Sequence, residues 1–430
     1  AATGLVFGLA AALPALRGGL ERTLREGSRG TTGGNRLRQA LIAVQAAFSI
    51  TLLVGAGLLV GTVVGLRNVD PGFDAEGLLA VSLPIVPPGY DRPEAYSDLV
   101  DRVRAATEGT AGPARVAATS SLPLERGLNF PVAIEGRPDA FEGAVEWRAV
   151  GLGYFELLDI EVLAGRVPDG SHRTDSPPVV VVSRGFADHY FPDEPALGQR
   201  IEIGRWRGEY LHPSLDRPAA EIVAVVADVR DRSPKQAPRR TIYVPFSQVP
   251  LALTATPVFL VEGDPGSVTT VRSALENADA RLPTPEVRPM DDVVARSIAL
   301  ERFNAQLLAA LAASALLLTA VGVYGVIACT VNQRRREMGI RVALGAARTR
   351  VVGMIIREGM TPVLLGLVLG GVASLWLSRL VSSLVWGIAP DDPRVLGAGA
   401  LVLVVAALLA SWIPARQATR LDPARTLGVE

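Results

Sequence analysis

The sequence predicts an α-helical membrane protein with four complete transmembrane helices and a large, two-lobed mixed α/β extracytoplasmic domain. The first observation is that 49% of the 430 residues are hydrophobic and the mean hydropathy is +0.30, too apolar for an ordinary soluble protein. The second is that 20% of the residues are charged, too many for a chain embedded along its whole length. The third is that apolar residues concentrate in four runs, with a long mixed segment between the first two.

The four apolar runs are long enough to span a bilayer, which takes about 20 residues of α-helix. They occupy 41–66, 304–330, 359–380 and 395–415. Buried helices of a soluble core are the alternative interpretation. Four such runs in one chain argue against it, so we predict four membrane-spanning helices.

Arginine-rich segments set the predicted orientation, because cytoplasmic segments of membrane proteins carry an excess of Lys and Arg. Arginines are dense in 1–40, in 331–358 and in 416–430, whereas the connection GIAPDDPR before the fourth helix carries two acids and one Arg. Placing the three basic segments in the cytoplasm gives a strict alternation of the four helices. Residues 67–303 are then predicted to lie outside.

The external segment has the pattern of a mixed α/β domain. Strand-like runs begin at Leu78, Val179, Glu221, Thr241 and Pro257. Helix-like runs cover 92–107 and 266–282. One lobe is predicted near 75–120 with 255–290, and a second near 125–250. The run from Met290 has acids at a helix start and is predicted to continue into the second span as a rigid stalk.

The first 40 residues resemble the end of the chain. The chain opens inside an apolar run too short to span a bilayer. The next stretch, LPALRGGLERTLREG, resembles the terminal IPARQATRLDPARTLGVE, since both place basic residues and a Thr-Leu pair after Pro-Ala. We therefore interpret 1–40 as the end of a preceding transmembrane helix and a cytoplasmic linker, within a longer polypeptide.

The stretch RRREMGIRVALGAARTR, between the second and third helices, combines dense positive charge with apolar residues and glycines. Glu337 and Arg341 have the spacing and order of a helical ion pair, and an apolar stripe lies on the neighbouring face. Anchoring to anionic membrane lipids would explain only the arginines. Docking to a cytoplasmic partner explains all three features. The predicted docking residues are Arg334, Arg335, Arg336, Glu337, Met338, Gly339, Ile340, Arg341, Ala343, Leu344 and Gly345.

Two further patterns belong to the helices. Residues 349–360, TRVVGMIIREGM, form an amphipathic pattern that is predicted to lie along the inner membrane interface before the third span. Gly57, Gly61 and Gly65 make two overlapping GxxxG steps on the first span, and Gly366 and Gly370 make one on the third. Small residues at this spacing let membrane helices pack closely, so the first set predicts a helix–helix interface.

The order of one span, a large external domain and three spans resembles the permeases of MacB/FtsX-type ABC transporters. RRREMGIRVALGA is similar to the family's coupling pattern, and VVVVSRGFADHYFPDEPALGQRIEIG and EIVAVVADVRDRSPKQAPRRTIYVPFSQ resemble the MacB-type periplasmic core domain. The resemblance covers the chain from Arg36 onward. It implies a bacterial inner-membrane protein with a periplasmic domain, whose coupling segment docks on a cytoplasmic ABC ATPase and transmits its motion across the membrane.

The resemblance also implies partners. A second permease copy, in the same chain or a dimer, would meet the glycines of the first span. An exporter of this family can further use a periplasmic adaptor and an outer-membrane channel. Two other functions stay open at this point: an FtsX-like regulator of a periplasmic enzyme that moves no substrate, and a membrane scaffold or sensor without an ATPase.

The sequence carries no sign of its own catalysis. The only lysine, Lys235, stands in RDRSPKQAP without the glycines of a phosphate-binding loop, so ATP hydrolysis is expected in a separate subunit. His172, His189 and His212 lack the spacing of metal ligands, and no cofactor or metal is predicted.

Two small charged groups of the external domain are interpreted as neither catalytic nor nucleic-acid-binding. Asp228 and Asp231 are predicted to form a solvated turn with the arginines beside them, rather than a paired-carboxylate site. Arg239 and Arg240 form a small basic patch, but nucleic acid is not expected as a partner on the outer side.

Overall fold

The chain forms two compact units, which are described separately below. One unit comprises Ala1–Gly65 and Glu301–Glu430, and the other comprises Leu66–Leu300. A computed structural model describes residues 31–82, 102, 105, 115–137, 143–173, 175–206, 208–249, 257–263, 268–269, 272–273, 276, 284–334, 347–380 and 385–418.

Seven α-helices lie in this described part of the chain. They are α1 (Thr31–Arg67), α2 (Tyr154–Leu157), α3 (Arg184–Tyr190), α4 (Met290–Ser297), α5 (Ala299–Gln333), α6 (Arg348–Leu380) and α7 (Pro393–Ala418). By length and apolar composition, α1, α5, α6 and α7 could each cross a membrane.

The core of the membrane unit forms along one face of α1. Ile42, Ala46, Ile50, Val54 and Leu58 recur every fourth residue, which places them on the same side of a helix, and all are buried. They share one apolar cluster with residues of the other three long helices: Val323 and Ile327 of α5, Val363 of α6, and Leu403 and Ala407 of α7. Helix α1 therefore packs at the centre of this unit.

Glycines allow α6 to approach α1 closely. A Cβ atom on Gly366 would fall inside van der Waals contact of the Ala43 carbonyl oxygen, and one on Gly370 would do the same to that of Ala47. The Thr51 hydroxyl donates to the Gly370 carbonyl at 3.3 Å. Because membrane helices associate through close packing, this GxxxG step provides an interface within the chain.

Two helix predictions are wrong. The amphipathic pattern at 349–360 does not form a separate interfacial helix, because α6 runs continuously from Arg348 to Leu380 through Pro362. Its apolar side chains Val351 and Ile355 are buried in the cluster that also holds Val363 beyond the proline, so packing sustains one helix. The run from Met290 is also interrupted, since α4 ends at Ser297 and α5 begins at Ala299. The Ser297 hydroxyl donates to the carbonyl of Val294 at 2.7 Å, a local bond that competes with helix continuation.

Thirteen strands are described in the external unit. They are β1 (Leu78–Ser82), β2 (Val116–Thr119), β3 (Leu128–Ile134), β4 (Ala144–Val150), β5 (Val162–Gly165), β6 (Val179–Ser183), β7 (Arg200–Ile203), β8 (Arg205–Trp206), β9 (Glu209–Tyr210), β10 (Ala220–Val226), β11 (Thr241–Pro245), β12 (Val258–Glu262) and β13 (Glu286–Pro289). The five predicted strands are confirmed as β1, β6, β10, β11 and β12. The predicted helices at 92–107 and 266–282 lie outside the described residues except at isolated positions.

Ten of the strands pair in two groups, while β5 pairs with β10 beside the second group and β8 pairs with β9 in a separate two-stranded sheet. In the first, the order is β2-β12-β1-β13, and all three pairings are antiparallel. In the second, β11, β6, β10, β7, β3 and β4 pair in that order, and β4 pairs with β11 again, so the ring of pairings closes. A single pairing of Thr119 with Val150 joins the groups. This mixed α/β unit and the four long helices confirm the predicted fold class.

Both faces of β6 and of β11 are buried. In β6, Val180 and Val182 contribute to one apolar cluster, whereas Val181 contributes to the other. This is the burial pattern expected of strands covered on both sides, and it explains the unbroken run of valines.

The segment after α1 is fixed to the same core. Phe73 is buried in the cluster that holds Val181, and the N–H of Asp74 donates to the Leu158 carbonyl at 2.8 Å. Met290 and Val293 of α4 enter the same cluster. The segments that adjoin the first and second spans in sequence are therefore both anchored in one hydrophobic core.

Candidate coupling site and buried charge cluster

The predicted docking residues lie in the connection between α5 and α6, of which the structure describes both ends. Arg334 is described, and its backbone N–H donates to the Thr330 carbonyl at 3.1 Å, which extends the last turn of α5. At the other end, the Ala347 carbonyl accepts from the N–H of Arg350 at 2.9 Å. The remaining predicted residues fall within 335–346, outside the described part of the chain: Arg335, Arg336, Glu337, Met338, Gly339, Ile340, Arg341, Ala343, Leu344 and Gly345.

An ion pair connects the two helices that enclose this segment. Nη1 of Arg334 lies 3.3 Å from Oε2 of Glu358 on α6 and donates a hydrogen bond to it. The two side chains are 46% and 33% exposed, so water screens their attraction. Arg334 belongs to the predicted docking residues, but its partner Glu358 could not be identified from the sequence.

A cavity of about 20 Å³ lies between α1, α5 and α6 beside this ion pair. That volume accommodates one water-sized molecule. Its lining includes polar side chains of all three helices, and its residues are Gln39, Ile42, Val326, Ile327, Thr330, Ile355, Glu358, Gly359 and Pro362. A Cβ atom on Gly359 would fall inside contact distance of Ile327 Cδ1, so α5 and α6 approach closely at this point.

The glycines of the first span face other parts of the same chain. A Cβ atom on Gly57 would lie 2.7 Å from Cγ1 of Val395, and one on Gly61 would fall inside contact distance of Ile388. Gly65 lies opposite Trp386, whose backbone N–H donates to the Thr62 hydroxyl at 3.2 Å. This side of α1 is therefore covered within the chain.

Polar side chains also meet across α1 and α5 inside the apolar bundle. The hydroxyls of Ser49 and Thr319 are hydrogen-bonded at 2.9 Å and buried. Oε1 of Gln45 is buried next to Gly322 and has no hydrogen-bond partner among the described residues. Such contacts favour one register of two membrane helices.

The external unit contains a fully buried arginine. Arg148 on β4 has no exposed surface, and its Nη2 lies 3.1 Å from Oδ1 of Asp231, without the alignment of a hydrogen bond. Its guanidinium donates to the Ser121 hydroxyl at 3.2 Å, the Leu122 carbonyl at 3.3 Å and the Tyr154 hydroxyl at 3.4 Å. The Arg148 side chain therefore contacts three separate parts of the chain, at 121–122, 154 and 231.

Glu146 extends this cluster along the same face of β4. Its Oε1 accepts from the N–H of Gly127 at 3.2 Å, and its Oε2 accepts from Nη1 of Arg239 at 3.3 Å. Asn129 bridges the group: when its amide is oriented to satisfy both neighbours, the nitrogen donates to Glu146 Oε2 at 2.6 Å and the oxygen accepts from Nη2 of Arg232 at 2.8 Å. The side chain of Glu146 is completely buried.

Burial dominates the electrostatics of this cluster. Desolvation raises the pKa of Asp231 and of Glu146, with the negative charge of Asp231 adding to the second shift. Desolvation also raises the pKa of the Tyr154 and Tyr243 hydroxyls, so both remain protonated. Burial alone would lower the pKa of Arg148, but the negative charge of Asp231 and the hydrogen bond to the Tyr154 hydroxyl favour the charged guanidinium, and the pKa is raised.

The prediction of a solvated turn is wrong for Asp231. Asp231 is 2% exposed, and its Oδ2 accepts from the Thr241 hydroxyl at 2.8 Å. The predicted ion pairing with an arginine does occur, but its partner is the distant Arg148 rather than a neighbour in sequence. Asp228 accepts from the N–H of Gly185 at 2.8 Å. No local pattern signals the burial of Asp231, and the alternation of charged and apolar residues in β4, which holds its partner Arg148, is typical of a strand with one solvated face.

Comparison with known proteins follows the same division of the chain. The MacB-like periplasmic core domain profile matches residues 46–278, and the FtsX-like permease C-terminal profile matches residues 309–423. The four helices and the external domain define a multi-pass protein of the bacterial inner membrane with a large periplasmic domain. Since the first profile alone covers more than half of the chain, the chain belongs to the MacB/FtsX-type permeases of ABC transporters.

Individual relatives have known names. The macrolide export ATP-binding/permease protein MacB of Agrobacterium fabrum is 23% identical over 299 residues, which are 65% of this chain and 42% of that protein. The pyoverdine export ATP-binding/permease protein PvdT of Pseudomonas fluorescens is 34% identical over 128 residues, 29% of this chain and 19% of that protein. This chain therefore spans less than half the length of these relatives.

Among solved structures, the periplasmic region of MacB from Actinobacillus actinomycetemcomitans matches with a TM-score of 0.36 and 12% identity. The match covers 53% of this chain and 95% of that region.

Proposed function

We propose that this permease transmits the motion of a cytoplasmic ABC ATPase to its periplasmic domain and thereby supports export or efflux. The observation that carries the proposal is the segment 334–345, whose arginines, glycines and apolar stripe lie between two helices of a permease of this family. The names of the relatives, which describe macrolide and pyoverdine export, support export as the outcome. The sequence lacks a phosphate-binding loop, so we assign ATP hydrolysis to a separate subunit.

The partners are part of the same proposal. The ATPase meets the chain in the cytoplasm, and a second permease copy, in the same chain or a dimer, completes the transporter. The face of α1 that holds Gly57, Gly61 and Gly65 is covered by other residues of this chain. The second copy therefore binds a different face of the permease from the one predicted. A periplasmic adaptor and an outer-membrane channel would serve a tripartite exporter. A regulator of a periplasmic enzyme would use the same coupling but have that enzyme as its partner.

Replacing Glu337 with lysine, or Gly339 with proline, is expected to uncouple the two sides of the membrane. The lysine removes the predicted helical ion pair with Arg341, and the proline removes a backbone N–H and disfavours helix. In nanodiscs that contain the ATPase, ATP and vanadate should change the hydrogen exchange of wild-type peptides from 66–300. We expect this change to fall at least fivefold in both variants, with membrane insertion unaltered.

The matched control is Glu26→Lys, which makes the same charge change in the predicted cytoplasmic linker, away from the coupling segment. It should respond to nucleotide like the wild type. If both coupling variants also respond like the wild type, segment 334–345 has no coupling role.

A further inference from the structure

We propose that the Arg334–Glu358 ion pair is a latch that joins the two ends of the coupling segment, so that displacement of the segment moves α5 and α6 together. The inference rests on the proposed function and deepens it, because it names two positioning residues for the same transmission step. Neither residue is proposed to contact the ATPase through this pair.

The position of the pair is the first argument. Arg334 is the last described residue before the segment, and Glu358 stands on the helix that begins just after it. The bond between Nη1 and Oε2 is 3.3 Å long and closes the chain between these residues into a loop. A force applied within that loop therefore reaches both helices through one side-chain contact as well as through the backbone.

Helix α6 lacks one backbone hydrogen bond where Glu358 lies. Pro362 has no N–H, so the Glu358 carbonyl has no backbone donor four residues later in the helix. Gly359, the next residue, adds no side chain and lets α5 approach. The first turns of α6 are therefore held to the rest of the helix by one backbone hydrogen bond fewer, and the ion pair at Glu358 ties these turns to the end of α5.

Free space surrounds α6 near Glu358. The cavity of about 20 Å³ is bounded by Glu358, Gly359 and Pro362 on α6 and by Thr330 on α5. Well-packed interiors leave few voids of this size, so the space permits a small displacement of α6. The ion pair limits that displacement from the cytoplasmic end.

The exposure of the pair argues against a purely stabilising role. Arg334 and Glu358 are 46% and 33% exposed, and ion pairs in such positions contribute little to folding. The positive charge of Arg334 also favours the C-terminal end of α5. A structural contribution of this kind would be lost by changing Arg334 alone and would not be recovered by exchanging the two residues.

The test compares four proteins in nanodiscs with the ATPase subunit that co-purifies with wild type. These are wild type, Arg334→Glu, Glu358→Arg and the double exchange Arg334→Glu/Glu358→Arg. We measure how ATP and vanadate change hydrogen exchange in peptides from 66–300, together with the thermal unfolding of each protein. Each single variant should lose at least fivefold of the nucleotide response, and the double exchange should recover more than half of it at unchanged unfolding temperature.

Two further variants make the result decisive. Arg36→Glu makes the same charge change at an exposed position near the start of α1 and should keep the full response. If a charge-reversed protein does not fold, the neutral variants Arg334→Gln and Glu358→Gln replace it, and each should still lose the response. Single variants that respond like wild type, or a double exchange that recovers nothing, overturn the latch. A wild type without any nucleotide response overturns the proposed function and the latch with it.

Discussion

Replacing Arg148 with alanine is expected to destabilise the periplasmic domain by about 3–5 kcal/mol, the cost of breaking a buried ion pair by removing one partner. The change leaves Asp231 as a buried charge without its cation and removes hydrogen bonds to Ser121, Leu122 and Tyr154. For a domain of this size, each kcal/mol lowers the melting temperature by roughly 2–4 °C. Thermal unfolding of the full-length protein in detergent measures the effect.

Two comparisons separate this effect from a general loss of charge. Arg115→Ala removes an ion pair with Glu262 of similar length, 3.2 Å, but the two side chains are 63% and 43% exposed. Because water screens an ion pair this exposed, its effect on the melting temperature should be far smaller than that of Arg148→Ala. The double variant Arg148→Met/Asp231→Leu replaces the buried pair with apolar groups and should recover most of the loss. Equal melting temperatures for Arg148→Ala and Arg115→Ala would contradict the account.

Replacing Gly72 with alanine is expected to cost about 2–5 kcal/mol. Gly72 has φ +81°, a left-handed conformation that costs a non-glycine residue about 1–2 kcal/mol. A Cβ atom here would also fall inside contact distance of the Asp228 carbonyl oxygen, and such overpacking adds about 1–3 kcal/mol. The neighbouring Asp70 carboxylate, which accepts from the Gly72 N–H at 2.8 Å, would be displaced as well.

The matched control for this prediction is Gly77→Ala. Gly77 also has a positive φ, of +67°, but its Cβ position is open, with nothing within 4 Å. It should lose only the conformational cost of about 1–2 kcal/mol. Guanidinium unfolding of both variants in the full-length protein gives the difference. A loss at Gly72 no larger than that at Gly77 would show that the contact with Asp228 does not constrain the segment after α1.

The sequence was sufficient to predict the spans and the most apolar strands. Composition alone was enough to predict the strand β6 from its valines and the span α1 from its uncharged run. An element that is covered by protein or lipid on every side needs apolar residues throughout. The family was also accessible from sequence, since RRREMGIRVALGA is similar to the family's coupling pattern and two external stretches resemble its periplasmic core domain.

The features that escaped prediction depend on pairings that are distant in sequence. Strand β4 closes the ring against β11, which lies about 90 residues later, and no local pattern encodes that pairing. This closure buries Arg148 and Glu146, although their alternation with apolar residues resembles a half-solvated strand. Similarly, the GxxxG pattern at Gly57 predicts a close neighbour but does not identify it as Val395 of the same chain.

The most direct test of the central claim, that segment 334–345 couples the permease to an ATPase, is co-purification of the full-length protein from nanodiscs with identification of bound subunits by mass. An ABC ATPase should accompany the wild type in a fixed ratio and should be reduced at least tenfold with Glu337→Lys. A periplasmic enzyme in the same complex would indicate a regulator, and an adaptor would indicate an exporter. If no ATPase accompanies the wild type, the segment is a lipid anchor and the coupling account is wrong.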